Sequence, residues 1–126
     1  MTAQQTTPTK TSTTSNNTSA HQACIDACNL CVTACERCAT ACLGEKDAGS
    51  LAPCIRADRD CAELCAVAAR LMARGSALSV AQCRICADAC DACARECDKH
   101  ASHHEHCKVC ADACRRCATE CRRMAA

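Results

Sequence analysis

The sequence predicts an all-α fold: an antiparallel up-down-up-down four-helix bundle with a cysteine-lined core. Two observations carry this prediction. In residues 28–42, CNLCVTACERCATAC, cysteine recurs at spacings of three, four, three and four, which places every sulfur on one face of an α-helix. The same pattern returns at 83–97 (CRICADACDACAREC) and 107–121 (CKVCADACRRCATEC), two copies identical at ten of fifteen positions. A degenerate fourth copy at 51–65 (LAPCIRADRDCAELC) keeps Cys54, Cys61 and Cys65 and puts Leu51 and Asp58 where the others have cysteine.

Residues 1–18, MTAQQTTPTKTSTTSNNT, are rich in Thr, Ser, Gln and Asn and read as a disordered tail ahead of a bundle domain at 19–126. The first helix is expected to open at Ser19, where Ser19 and Gln22 form a capping box, and to stop at Gly44. Its stripe includes Cys24, giving it six cysteines. Ser50 is the expected cap of the second helix, with Pro53 harmless in its first turn and Gly75 beyond its end. A Ser79–Gln82 box opens the third helix, which reaches about Lys99. A Ser102–Glu105 box opens the fourth, which runs to about Met124. The connectors are short, so sequential helices are antiparallel neighbours.

Nineteen cysteines in 126 residues normally mean a disulfide scaffold in a secreted chain. Here the cysteine number is odd, the spacing is helical, and the N-terminus carries no apolar signal-peptide core. The expectation is a cytoplasmic protein whose thiols stay free for metal. Aromatic residues are absent, and of 62 hydrophobic residues 27 are Ala and 19 Cys. So few large apolar groups leave part of the cohesion to bound metal. No apolar run approaches the ~20 residues of a membrane span. A formal charge of +1 with mixed signs and no stacking rings argues against nucleic-acid binding.

Soft thiolates select Cu(I), Zn(II) or iron–sulfur clusters. Zinc Cys₄ sites usually take their pairs from turns that wrap the ion. Iron–sulfur sites use loop motifs that are missing here. Cu(I) accepts two or three sulfurs, and one thiolate can bridge two ions. A continuous column therefore suits about one Cu(I) per cysteine, which is storage. Catalysis is not expected, because nineteen near-equivalent thiols single out no nucleophile with its base. A zinc or general soft-metal detoxifying binder and a thiol redox protein remain the alternatives.

The candidate ligands are Cys24, Cys28, Cys31, Cys35, Cys38, Cys42, Cys54, Cys61, Cys65, Cys83, Cys86, Cys90, Cys93, Cys97, Cys107, Cys110, Cys114, Cys117 and Cys121. The repeated stripe on four helices without aromatics resembles the bacterial four-helix-bundle copper storage proteins over about residues 20–124. Without an export signal, it is similar to the cytosolic branch. The resemblance implies Cu(I) held inside the bundle and a homotetramer. The three-cysteine second helix and the Thr-rich tail depart from the pattern. Antiparallel packing collects His21, Met72 and Met124 at one end, and His100 with His103 or His104 at the other. The latter end is the expected loading gate, with Asp58 deeper as a polar or ligating partner.

Overall fold

Cysteine or alanine at successive stripe positions gives each helix a narrow face of small side chains, and the four faces meet along one axis. The computed structural model describes the backbone of residues 11–126 and side chains from residue 19 onward. Its helices are α1 (Thr11–Leu43), α2 (Ala52–Ala73), α3 (Ser79–Asp98) and α4 (Glu105–Ala125), with a 3₁₀ turn at Ala48–Leu51 leading into α2. Each helix packs on two neighbours, in the order α1–α2–α3–α4 and back to α1. No described helix is long and apolar enough to cross a membrane.

Side-chain pairs fix the direction of each helix. Between α1 and α4, Cys24 meets Cys121, Cys31 meets Cys114 and Cys38 meets Cys107. One number rises as the other falls, so these helices are antiparallel. Between α2 and α3, Cys54 meets Cys97, Cys61 meets Cys90, and Met72 meets Cys83. On the outer wall between α3 and α4, Asp98 pairs with Arg115 and Asp91 with Arg122. These exposed bridges orient more than they stabilise, at about 0–1 kcal/mol each.

Helix starts depart from the capping signals. α1 begins at Thr11, eight residues ahead of Ser19, because once a helix is nucleated each added residue gains a hydrogen bond and no glycine or proline intervenes between Thr11 and Ser19. Gln22 does not reach back to a cap; its Nε2 donates to Asp26 Oδ1 at 2.8 Å, one turn onward. The first ten residues of the expected tail lie outside the described residues, and residues 11–18 form the start of α1. Ser50 does not cap α2: its hydroxyl donates to Asp47 O at 2.9 Å within the 3₁₀ turn. At α3 the helix starts at Ser79, but its hydroxyl is buried without a partner, and Gln82 Nε2 donates across to Leu64 O at 3.1 Å. α4 starts at Glu105 after an extended His104 (φ −135°, ψ 112°), later than a Ser102 cap would place it. Helix ends follow expectation more closely. Pro53 sits in the first turn of α2, and Gly75 takes the left-handed φ of 64° that ends α2, a conformation glycine adopts without Cβ strain.

The core is almost entirely sulfur and methyl. All nineteen cysteines are buried, together with Ala27, Ala62, Ala68, Ala87, Ala94, Ala111 and Ala118; Leu51 and Met72 are the large apolar side chains among them. Alanine beside the stripe lets the backbones approach closely, which brings the sulfurs of four helices into one column.

Candidate metal centre

All nineteen cysteines are free thiols. Neighbouring sulfurs of the column lie as close as 3.2 Å (Cys65–Cys86), with Cys61 and Cys114 at 4.0 Å. At a metal–sulfur bond of about 2.3 Å, tetrahedral or trigonal coordination separates sulfurs by about 3.8–4.0 Å. The thiols already stand at the spacing a shared ion requires.

Five four-thiol groups illustrate the connectivity. Cys38, Cys42, Cys54 and Cys107 lie at one end; Cys35, Cys93, Cys110 and Cys114 come next. Cys31, Cys35, Cys61 and Cys114 form the middle group, followed by Cys31, Cys61, Cys65 and Cys90; Cys28, Cys86, Cys117 and Cys121 lie beyond. In each group the ligand atoms lie within 4.8 Å of one another. The groups overlap: Cys35 and Cys114 belong to two of them, as do Cys31 and Cys61. Closed zinc sites keep their four ligands to themselves. Shared sulfurs make a chain of bridged sites.

Asp58 stands where the degenerate repeat of α2 lacks a cysteine, and it is fully buried. Its Oδ1 accepts S–H bonds from Cys93 at 3.1 Å, Cys110 at 3.2 Å and Cys97 at 3.6 Å. Its Oδ2 has no partner. Burial, then the neighbouring Cys110, push its pKa up to about 8, because a carboxylate loses hydration there that the thiols do not replace. Burial likewise pushes the Cys42 thiol up to about 11 and raises Cys107. Metal-free, Asp58, Cys42 and Cys107 hold their protons at neutral pH, whereas the hydrogen bonds of Cys38 and Cys97 push the Cys54 thiol down to about 3; metal must displace the protons that are held.

The histidine end differs from the expected gate. His106, which stripe extrapolation passes over, is the imidazole that faces the thiols. Its Nδ1 lies 3.6 Å from Cys38 Sγ, 3.6 Å from Cys107 Sγ and 3.9 Å from Cys42 Sγ. Its Nε2 lies 2.9 Å from Glu45 Oε2. The carboxylate can only accept, so Nε2 carries a hydrogen, and in the neutral imidazole the Nδ1 lone pair faces the sulfurs. His104 stacks on His106 with ring centroids 5.2 Å apart and turns its nitrogens to Glu45 (3.2 Å) and Asp47 (3.3 Å). The His104 hydrogen bond holds the exposed Asp47 carboxyl below its usual range. His103 is exposed and His100 half-buried; the carbonyl of His100 accepts the backbone N–H groups of His103 and His104 at 3.0 and 2.9 Å. Stripe arithmetic missed His106 because α4 begins only at Glu105, so helical phase does not extend back to 103 or 104. The available signal was a histidine beside Cys107 in the first turn, where a long side chain reaches back to the stripe.

Comparison with known proteins bears on the same residues. A protein of Bacillus subtilis (strain 168), described as an uncharacterized cysteine-rich protein, is 49% identical over 105 residues, covering 83% of this chain and 95% of that one. The structure of a Cu(I)-bound copper storage protein, BsCsp3, superposes with a TM-score of 0.80 at 48% identity, over 85% of this chain and 99% of that one. Apo-Csp3 from Bacillus subtilis gives 0.76 at 48% identity, over 83% and 98%. A cytosolic copper storage protein from Streptomyces lividans, holding five coppers, gives 0.83 at 41% identity, over 85% and 92%. Residues 17–126 match the family model described as copper storage protein. With the sulfur column running the length of the matched region, the chain belongs to the copper storage protein family.

Proposed function

We propose that this chain sequesters Cu(I) inside its bundle, with all nineteen cysteines as ligands and many ions per chain. The observation that carries the reading is the sharing of thiols between adjacent four-sulfur groups, which suits monovalent soft ions bridged through thiolates. Asp58 is the oxygen ligand or polar partner inside the column. His106 supplies the nitrogen ligand at the end where His100, His103 and His104 cluster, and this is the loading end. His104 and the exposed His103 serve as outer contacts for arriving copper. Storage rather than catalysis is supported by the equivalence of the thiols: all are buried, and His106 faces three of them at once. A zinc or general soft-metal binder would fill separate four-thiol sites.

The chain acts in the cytosol, a reading supported by nineteen unpaired thiols, which only a reducing compartment keeps reduced, and by the Streptomyces relative described as cytosolic. It assembles as a homotetramer, supported by the exposed apolar residues Leu30 and Val109 flanking Ala34 and Ala113 along the α1–α4 groove. Light scattering at four times the 13.3 kDa chain mass is the expected result, and a monomer mass refutes it. The function itself is tested by anaerobic Cu(I) titration against a competing chelator. More than about ten tightly held ions per chain, up to about one per cysteine, is expected. Four or fewer overturns storage in favour of isolated zinc-type sites.

A further inference from the structure

Outside the sulfur column, the histidine end gathers a second set of ligand atoms that contains no sulfur. Glu45 Oε2 lies 3.2 Å from His104 Nδ1 and 2.9 Å from His106 Nε2. The two rings stack at 24°, so both present a nitrogen to one oxygen. All three residues are half-buried. Backbone bonds hold them: Glu45 N–H donates to Cys42 O at 3.2 Å and His104 N–H to His100 O at 2.9 Å. We propose that Glu45, His104 and His106 form a divalent-cation site of the zinc type, and that an ion there blocks the Cu(I) ligand at His106. The block, though not the site, rests on the Cu(I)-storage reading above.

Hydrogen bonds alone leave His104 over-committed. Its Nδ1 faces Glu45 and its Nε2 faces Asp47 at 3.3 Å. Neither carboxylate can donate, and a neutral imidazole has one ring hydrogen for two acceptors. A cation between Nδ1 and Glu45 removes the conflict, because the single hydrogen then sits on Nε2 and is donated to Asp47. A histidine that ligates through one nitrogen and donates from the other to a carboxylate is the usual arrangement around protein-bound metal. The spacing also fits: tetrahedral bonds of about 2.1 Å to nitrogen and oxygen put ligand atoms about 3.4 Å apart. Two imidazoles and a carboxylate suit a borderline divalent ion, whereas Cu(I) prefers the thiolates.

His106 gives the site its effect. Without the cation, Nε2 carries the hydrogen donated to Glu45, and the Nδ1 lone pair is free for copper. A divalent ion takes the Nε2 lone pair, and the ring hydrogen is held on Nδ1 instead, 3.6 Å from the sulfurs of Cys38 and Cys107. The ring keeps one proton throughout, but the nitrogen facing the column turns from acceptor to donor. That nitrogen can no longer ligate Cu(I), and by linkage Cu(I) on Nδ1 disfavours the divalent ion.

Zn(II) is the probe. Long-range proton–nitrogen NMR of reduced, copper-free protein, titrated with Zn(II) to saturation, reads both nitrogens of each imidazole. His104 Nδ1 and His106 Nε2 should shift to metal-bound positions, and His106 Nδ1 should become the N–H. Zinc held by thiols alone leaves the imidazoles unmoved, and zinc shared between thiols and His106 shifts Nδ1 instead; either result overturns the site and needs no variant. Zn(II) should also weaken capture of the first Cu(I) against a competing chelator by about tenfold. In His104→Ala, with helix content unchanged by circular dichroism, that effect should disappear. No effect of Zn(II) in the unsubstituted chain, or an equal effect in His104→Ala, overturns the block. Cu(I) uptake too small for storage overturns the storage reading instead and leaves the copper-free imidazole shifts standing, so the two failures are distinguishable.

Discussion

The buried carboxyl of Asp58 makes the metal-free protein lose stability as pH rises through neutrality, and replacing it by asparagine should remove that loss. In the unfolded chain this group titrates near 3.8, while in the fold it titrates at about 8. Below pH 4 both states carry the proton and the group contributes no difference. Between the two values the unfolded chain gives up its proton and the folded chain keeps it. Holding that proton against a rising pH weighs on the fold by about 1.36 kcal/mol per unit, reaching on the order of 5 kcal/mol by pH 8. The group is fully buried, so solvent does not screen the effect. The Asp58→Asn variant keeps an oxygen for the S–H donors of Cys93 and Cys110, but its new amide N–H groups find only sulfur. That costs about 1–3 kcal/mol at every pH. The two stability curves should therefore cross: the variant equals or trails the parent at pH 5 and leads by a few kcal/mol at pH 8. Urea unfolding of reduced, copper-free protein under anaerobic conditions measures this. Far-ultraviolet circular dichroism is the signal, since the chain has no Trp, Tyr or Phe. Parallel losses in parent and variant between pH 5 and 8 would refute the assignment of the slope to Asp58.

Three other outcomes are expected. His106→Ala should slow the first Cu(I) transferred from a chelator while changing total capacity by about one ion, and Glu45→Ala should slow it less, by releasing the imidazole from its Nε2 anchor; stopped-flow transfer kinetics check both, and the exposed His103→Ala, which removes only an outer contact, should slow it least. Ala111→Leu, at a fully buried position, should overpack the α4 wall by about 1–3 kcal/mol and lower the thermal midpoint of the metal-free protein. Loading at pH 7 should release about one proton per cysteine ligand, read with a pH-stat, and removing the copper by chelation should return the thermal midpoint to its metal-free value.

The interior of each helix was legible because a three-four spacing of cysteine has one physical solution. The overlap of the four-thiol groups follows from that spacing once four such stripes face one axis. Helix starts were less legible. A serine cap contributes only about 1 kcal/mol, too little to stop α1 at Ser19 when the chain ahead can continue helical. Ser79 shows the same competition: packing buries its hydroxyl, and Gln82 takes the carbonyl of Leu64 instead. Asp58 could be placed in the column from its register, but its unpartnered oxygen depends on how four helices pack. The His106–Glu45 pair links residues 61 apart, and no local pattern announces it.

The sharing of thiols between adjacent groups has a kinetic consequence. An ion in the group of Cys35, Cys93, Cys110 and Cys114 already touches two sulfurs of the next group inward, Cys35 and Cys114. It can advance by exchanging its other ligands one at a time, without ever being bare. The barrier for travel is then that of swapping a single sulfur, not that of leaving the protein. Across the three overlapping groups, from Cys93 and Cys110 through Cys31 and Cys61 to Cys65 and Cys90, the proposed reservoir would also act as a relay, and its deep positions would fill without a separate doorway for each.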